Sequence, residues 1–264
     1  MSLLSAAGAM VRERVVGAGF VVSLLLHTAR LTPRLPRRLR FFLDACHSAG
    51  VRALPVTLIV AMFAGMILAL QTGIELRNYG QTGAIGTITA LSMCREMGPF
   101  ITAVVLAATV GSAMAAELGT MNVSDEVTAL EVMSIDPADF LVLPRVAALT
   151  VMCPAVTVFS NLLGIAGGSL VAEFQLGISQ TYYWNSVQDA LSDTAHVLPK
   201  DVYVGLFKAT VFGCLIAIIS CACGLRAQGG AFGVGSAVQG AVRNSVIMII
   251  VSGFIVTSLF YRGR

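Results

Sequence analysis

Residues 97–145 read MGPFITAVVLAATVGSAMAAELGTMNVSDEVTALEVMSIDPADFLVLPR. The first part, residues 97–116, carries no charged side chain and is bounded by Glu96 and Glu117. That is about the 20 residues an α-helix needs to cross a hydrocarbon core. Backbone groups in lipid have to satisfy one another, so a spanning segment of this kind is a helix. The second part, residues 117–145, holds six acids and one base, Arg145, and does not belong in lipid.

The same pattern repeats on either side. Apolar runs cover residues 53–72 (ALPVTLIVAMFAGMILALQT), 146–172, 202–225 and 244–261. Together with 97–116 they make five expected spans. Composition agrees: 56% of the chain is hydrophobic, 12% is charged, and the mean hydropathy is +0.84. Soluble domains carry about a quarter charged residues, so the expected fold class is an all-α integral membrane protein.

Residues 15–29 (VVGAGFVVSLLLHTA) are apolar but short for a span, and they follow Arg12 and Arg14. The prolines and arginines of LTPRLPRRLR come next. No small-residue cleavage pattern follows, which weakens a signal-peptide reading. The segment reads as an interfacial helix, with a cleaved signal as the alternative. The expected organisation is an N-terminal interfacial helix and basic connector over 1–50 and a five-span domain over 51–264.

Basic residues set the orientation. Eight precede the first span, and Arg145, Arg226 and Arg243 fall on the same side. Arg77, Arg95, Lys200, Arg262 and Arg264 fall on the other. The positive-inside rule puts the N-terminus in the cytoplasm and the C-terminus outside, although Arg262 and Arg264 pull mildly the other way. The arginine cluster before the first span reads as a lipid-facing flank rather than a nucleic-acid surface.

In the acidic stretch, Asn122 or Ser124 is placed to cap a helix, with Asp125 and Glu126 in a first turn favoured by the helix dipole. Val123, Val127 and Leu130 share one face, and Asp136-Pro137 is expected to end the helix. The product is a short amphipathic helix at about 122–136. It is either a solvated connection or a docking lever for a soluble partner.

The block from EMGPFITAVVLAATVGSAMAAELGTM through ALEVMSIDP to LVLPR, with GGSLV at 167–171, closely resembles the MlaE/YrbE permease family. The resemblance covers residues 40–262 and is most specific over 95–145. It departs at Ala108-Thr109, where many members have Gly-Arg, so no arginine role passes to Thr109. The resemblance implies an inner-membrane homodimer that works with a cytoplasmic ABC ATPase and an MCE-domain lipid-binding protein to move phospholipid between membranes. It further implies that the helix at 122–136 couples to the ATPase, involving Glu117, Asp125, Glu126, Glu131, Asp136 and Arg145. ATP and Mg²⁺ would then be used by the partner, with no cofactor on this chain.

The residues themselves agree that energy comes from elsewhere. Lys200 follows Pro199 and Lys208 follows Phe207, so neither lysine completes a Walker A loop. His27, His47 and His196 are scattered without a nucleophile motif. Cys221-Ala222-Cys223 lacks a second pair or a nearby histidine, so no metal is expected. Lys208 is expected to snorkel outward from its span. Arg95 and Glu96, at the expected outer end of the second span, either meet a lipid headgroup or pair locally. Gly111, Ser112, Ala115, Ala116 and Gly119, with Gly164-x-x-x-Gly168, permit close helix approach, within one subunit or at a dimer seam. A stand-alone channel or ion-coupled carrier is the alternative function, but it needs charges inside the spans.

Overall fold

The structure is a computed structural model that describes residues 3–192 and 200–262, with side chains described from Val15 onward except that of Arg37. His196, Arg264 and the first arginines weighed above fall outside those side chains. The helices are α1 (Leu3–Leu31), α2 (Leu39–Asn78), α3 (Thr82–Val123), α4 (Glu126–Val132), α5 (Ala138–Phe174), α6 (Gln180–Leu191), α7 (Lys200–Leu225) and α8 (Gly230–Tyr261). No strand occurs among the described residues. Six segments are long and apolar enough to cross a membrane: α2, α3, α5, α7, α8 and Val15–Pro36.

The last of these does not run alongside the bundle. The Arg226 guanidinium lies 5.9 Å from the Phe20 ring and against Gly17. Ten residues after Gly17, His27 Nε2 is 2.7 Å from Asp136 Oδ2. Those contacts are about 15 Å apart along a helix, yet Arg226 and Asp136 both sit in connections at one end of the bundle. α1 therefore lies across that end, the acidic end, and the other five long apolar helices make the bundle.

Close approach is built from small residues. The buried face of α2 is Thr57, Ala61, Gly65, Ala69 and Gly73, one residue every four, which is a ridge along one side of the helix. It packs on α5, where a Cβ at Gly65 would stand 2.0 Å from the Gly164 carbonyl oxygen. Gly168 meets Ala69, Thr89 and Tyr183. Gly205 and Gly213 let α7 approach the carbonyls of Cys94 and Leu149. In its most apolar window α7 is 56% buried, against 17% for α8. α7 is thus the enclosed centre, and α8 turns Ile247, Ile250, Val251, Phe254, Ile255 and Leu259 outward.

α3 has 42 residues, about twice what a hydrocarbon core requires. It begins fifteen residues before the expected start at Met97 and is interrupted by π turns at Met93–Met97 and Ala107–Gly111. Its first turns pack on α6 at the opposite end. There the buried Tyr183 hydroxyl donates to the Ile165 carbonyl at 3.1 Å. Burial pushes this hydroxyl up to about 12, so it stays protonated as a donor.

Candidate functional site

The first π turn of α3 places Arg95 and Glu96 inside a continuous helix rather than at its end. They do not pair with each other. Lys208 Nζ on α7 donates to Glu96 Oε1 at 2.5 Å and to the Arg95 carbonyl at 3.2 Å. Thr257 on α8 donates to the same Glu96 oxygen at 2.9 Å. Arg95 Nε donates to Asp201 Oδ1 at 2.9 Å, and its guanidinium stacks 4.6 Å from the Tyr261 ring. The Tyr261 hydroxyl donates to the same Asp201 oxygen. Two adjacent charges of α3 thus fasten it to the start of α7 and the end of α8.

This corrects the reading of Lys208. It does not snorkel: the residue is 1% exposed, because a carboxylate and a carbonyl wait for it inside the bundle. Taking an ammonium out of water is costly, and hydrogen bonds to both partners offset that cost. The Glu96 side chain, by contrast, is 43% exposed and borders a groove of about 380 Å³. Met97, Phe100, Phe212, Ile249, Ile250, Gly253, Phe254 and Thr257 complete its walls. Apart from the Glu96 carboxylate and the Thr257 hydroxyl the lining is apolar, an arrangement suited to an amphiphile.

At the acidic end the helix is shorter than expected. α3 runs on to Val123, and α4 occupies Glu126–Val132 rather than 122–136. Asn122 does not cap it, because its side chain donates to the Ala227 carbonyl at 3.0 Å. Ser124 follows the end of α3, and Asp125, in a left-handed conformation with φ 59°, is the cap position. Ser134 is also left-handed, and α4 stops before Asp136-Pro137. That pair opens α5: Asp136 Oδ1 accepts the Ala138 N–H at 2.9 Å.

Val127 is buried and Leu130 half-buried on the expected apolar face, while Glu126 and Glu131 are exposed. Val132 and Met133, at 82% and 62% exposure, form an apolar tip that periodicity did not single out. Glu117 Oε2 and Arg145 Nη2 pair at 3.0 Å, so the ends of residues 117–145 are tied together. Arg38 pairs with Asp139 at 3.1 Å. With His27 on Asp136, three contacts fix the base of the segment and none involves Asp125, Glu126 or Glu131.

The small residues divide by direction. Gly111 faces Ser220 and Ile216 of α7, Gly119 faces Ala227 and Val234, and Ala115 is fully buried. Gly164 touches Met93 and Ala61. These positions serve packing within the subunit. Ala108, Thr109 and Ala113 are exposed and Ser112 and Ala116 half-exposed on the outer side of α3. The Thr109 hydroxyl donates back to the Val105 carbonyl at 2.8 Å.

The family described as Permease MlaE matches residues 42–259. A probable ABC transporter permease protein of Synechocystis sp. is 40% identical over 252 residues, covering 95% of this chain and 92% of that protein. A protein of the same description from Rickettsia prowazekii is 39% identical, covering 81% of this chain and 80% of its own length. The intermembrane phospholipid transport system permease protein MlaE of Haemophilus influenzae is 28% identical, covering 87% and 86%. The chain belongs to the MlaE permease family: it is a multi-pass membrane protein and an ABC transporter permease.

Proposed function

We propose that this permease moves phospholipid between membranes, powered by a separate cytoplasmic ATPase docked on α4. The observation that carries the reading is the groove beside Glu96, an apolar trough with one carboxylate at its rim. A volume of about 380 Å³ lies at the small end of ligand sites. It accommodates part of an acyl chain rather than a whole two-chain lipid. Two copies, meeting through the outward small face of α3 and the outward apolar face of α8, would enlarge it, which is why the working unit is read as a homodimer.

In this reading the acidic end faces the cytoplasm of the inner membrane and Tyr261 lies towards the periplasm. The ATPase supplies ATP and Mg²⁺, no cofactor being held by the permease, and an MCE-domain protein exchanges lipid at the other face. The headgroup would rest near Arg95 and Glu96, whose ties to α7 and α8 would loosen or tighten as the cavity changes shape. Net transport requires the lipid to bind one conformation better than the other.

The test is reconstitution of the permease with its ATPase in phospholipid vesicles. ATP-dependent transfer of a fluorescent phospholipid to an acceptor, and ATPase activity raised by phospholipid, are expected. Glu96→Gln should cut transfer more than tenfold while the permease still inserts. Transfer that is unchanged without ATP, or unchanged in Glu96→Gln, would overturn the reading.

A further inference from the structure

A second cavity, of about 340 Å³, lies at the acidic end and is separate from the groove at Glu96. Its walls come from three elements. Phe41, Asp44 and Ser48 line it from the start of α2, Met114, Glu117 and Met121 from α3, and Phe140, Leu141 and Arg145 from α5. Along α3 the nearest lining residues of the two cavities, Phe100 and Val110, are ten positions apart, about 15 Å.

The lining is graded. Phe41 and Phe140 meet edge to face at 5.1 Å, and Met114, Met121, Leu141 and Pro144 make an apolar wall. The charged rim holds two carboxylates, Asp44 and Glu117, against one guanidinium. Arg145 is already committed to Glu117 at 3.0 Å and to the Leu141 carbonyl at 3.2 Å. Asp44 makes no ion pair among the described residues, although Arg40 lies one turn before it on the same helix. Among the lining residues the rim thus holds two carboxylates and one guanidinium beside an apolar pocket, while Arg38, over the Phe140 ring at 4.9 Å, is taken up by Asp139.

We propose that this cavity binds a phospholipid with a primary-amine headgroup from the leaflet at the acidic end, as a regulatory rather than a transported lipid. The ammonium would pair with Asp44 and the open face of Glu117, and an acyl chain would enter between Phe41, Phe140 and Met114. A lipid is favoured over a free amine because Phe41, an exposed apolar side chain of an amphipathic helix, lines the cavity and continues its apolar wall to the outer surface of that helix. Glu117 and Arg145 are the two ends of the segment that carries α4. An occupant would therefore brace that segment from the membrane side. The inference rests on the membrane placement of the chain and not on phospholipid transport.

The experiment places the full-length permease in nanodiscs containing equal phosphatidylethanolamine, phosphatidylcholine and phosphatidylglycerol, and weighs the lipid retained by native mass spectrometry. Retention of phosphatidylethanolamine over the other two is expected. Asp44→Asn should lower its retention about tenfold, as loss of a charge-assisted contact implies. Asp44→Lys should switch the preference to phosphatidylglycerol, a gain that misfolding cannot produce. Gly253→Trp, which fills the groove at Glu96, should leave the preference intact even where it abolishes transport. Equal retention of the three lipids, a preference unmoved by Asp44→Lys, loss of the preference in Gly253→Trp, or full displacement by free ethanolamine would each overturn the proposal.

Discussion

The pair of Lys208 and Glu96 shows how unequal two partners in one contact can be. Lys208 is enclosed, while the Glu96 side chain reaches the groove. Removing the acid leaves an ammonium in the bundle with a single carbonyl partner. Removing the base leaves a carboxylate that can still be hydrated. Glu96→Leu should therefore destabilise the permease by about 3–5 kcal/mol, the usual loss when a buried pair is broken from one side. Lys208→Met should lose clearly less, and the double substitution should recover most of the stability without recovering transport. Thermal unfolding midpoints in detergent would check this, and equal losses for the two single substitutions would contradict it. This pair was not legible in the sequence. Along the chain the apolar run stops at a charge, and only the partner 112 positions away accounts for Arg95 and Glu96 continuing the helix.

At the scale of elements, the amphipathic character of residues 122–136 was legible but its boundaries were not. The periodic face at Val127 and Leu130 depends only on spacing. Where α4 begins depends on Asn122 finding the Ala227 carbonyl in a distant turn, which no local pattern announces. The exposed acids of α4 have no intramolecular task among the described contacts. Reversing the charge at Asp125, Glu126 and Glu131 together should abolish ATPase-coupled transport and lower the unfolding midpoint by only a few degrees, since exposed charges contribute little to stability and only Asp125, at the left-handed cap position, adds a local cost. Normal transport by that variant would remove α4 from the coupling path. Exchanging the tied pair, as Glu117→Arg with Arg145→Glu, should retain more coupling than either single change. The ridge of α2 makes a different prediction. Gly65→Ala puts a methyl against the Gly164 carbonyl and should cost about 1–3 kcal/mol, whereas Gly19→Ala, with open space around it, should cost almost nothing.

Across the whole molecule, composition and run length established the membrane class and the five long apolar helices after α1, because both follow from the thickness of the bilayer. The position of α1 did not follow from its sequence, since its apolar stretch suits either a crossing or a surface helix. Contacts of Gly17, Phe20 and His27 with connections at one end decide it. Orientation rests on arginine placement and can be checked with single cysteines in a background lacking the native six. Ser124→Cys should react with an impermeant maleimide only from the cytoplasmic side, and Gln180→Cys only from the other. The reverse pattern would invert the topology.

The two π turns of α3 have a consequence for comparing relatives. Each holds one residue more than an α turn would over the same stretch, so the chain beyond it is clocked by about 100° relative to an unbroken helix. α3 behaves as three dials on one shaft: Thr82–Ser92 set against α6, the middle set against α5 and α7, and the last turns set between α7 and α8. A one-residue gap in a related sequence should therefore fall within Met93–Met97 or Ala107–Gly111. It would act as a rotation of one dial, redirecting Arg95 and Glu96 or the outer small face, and the remaining register would survive.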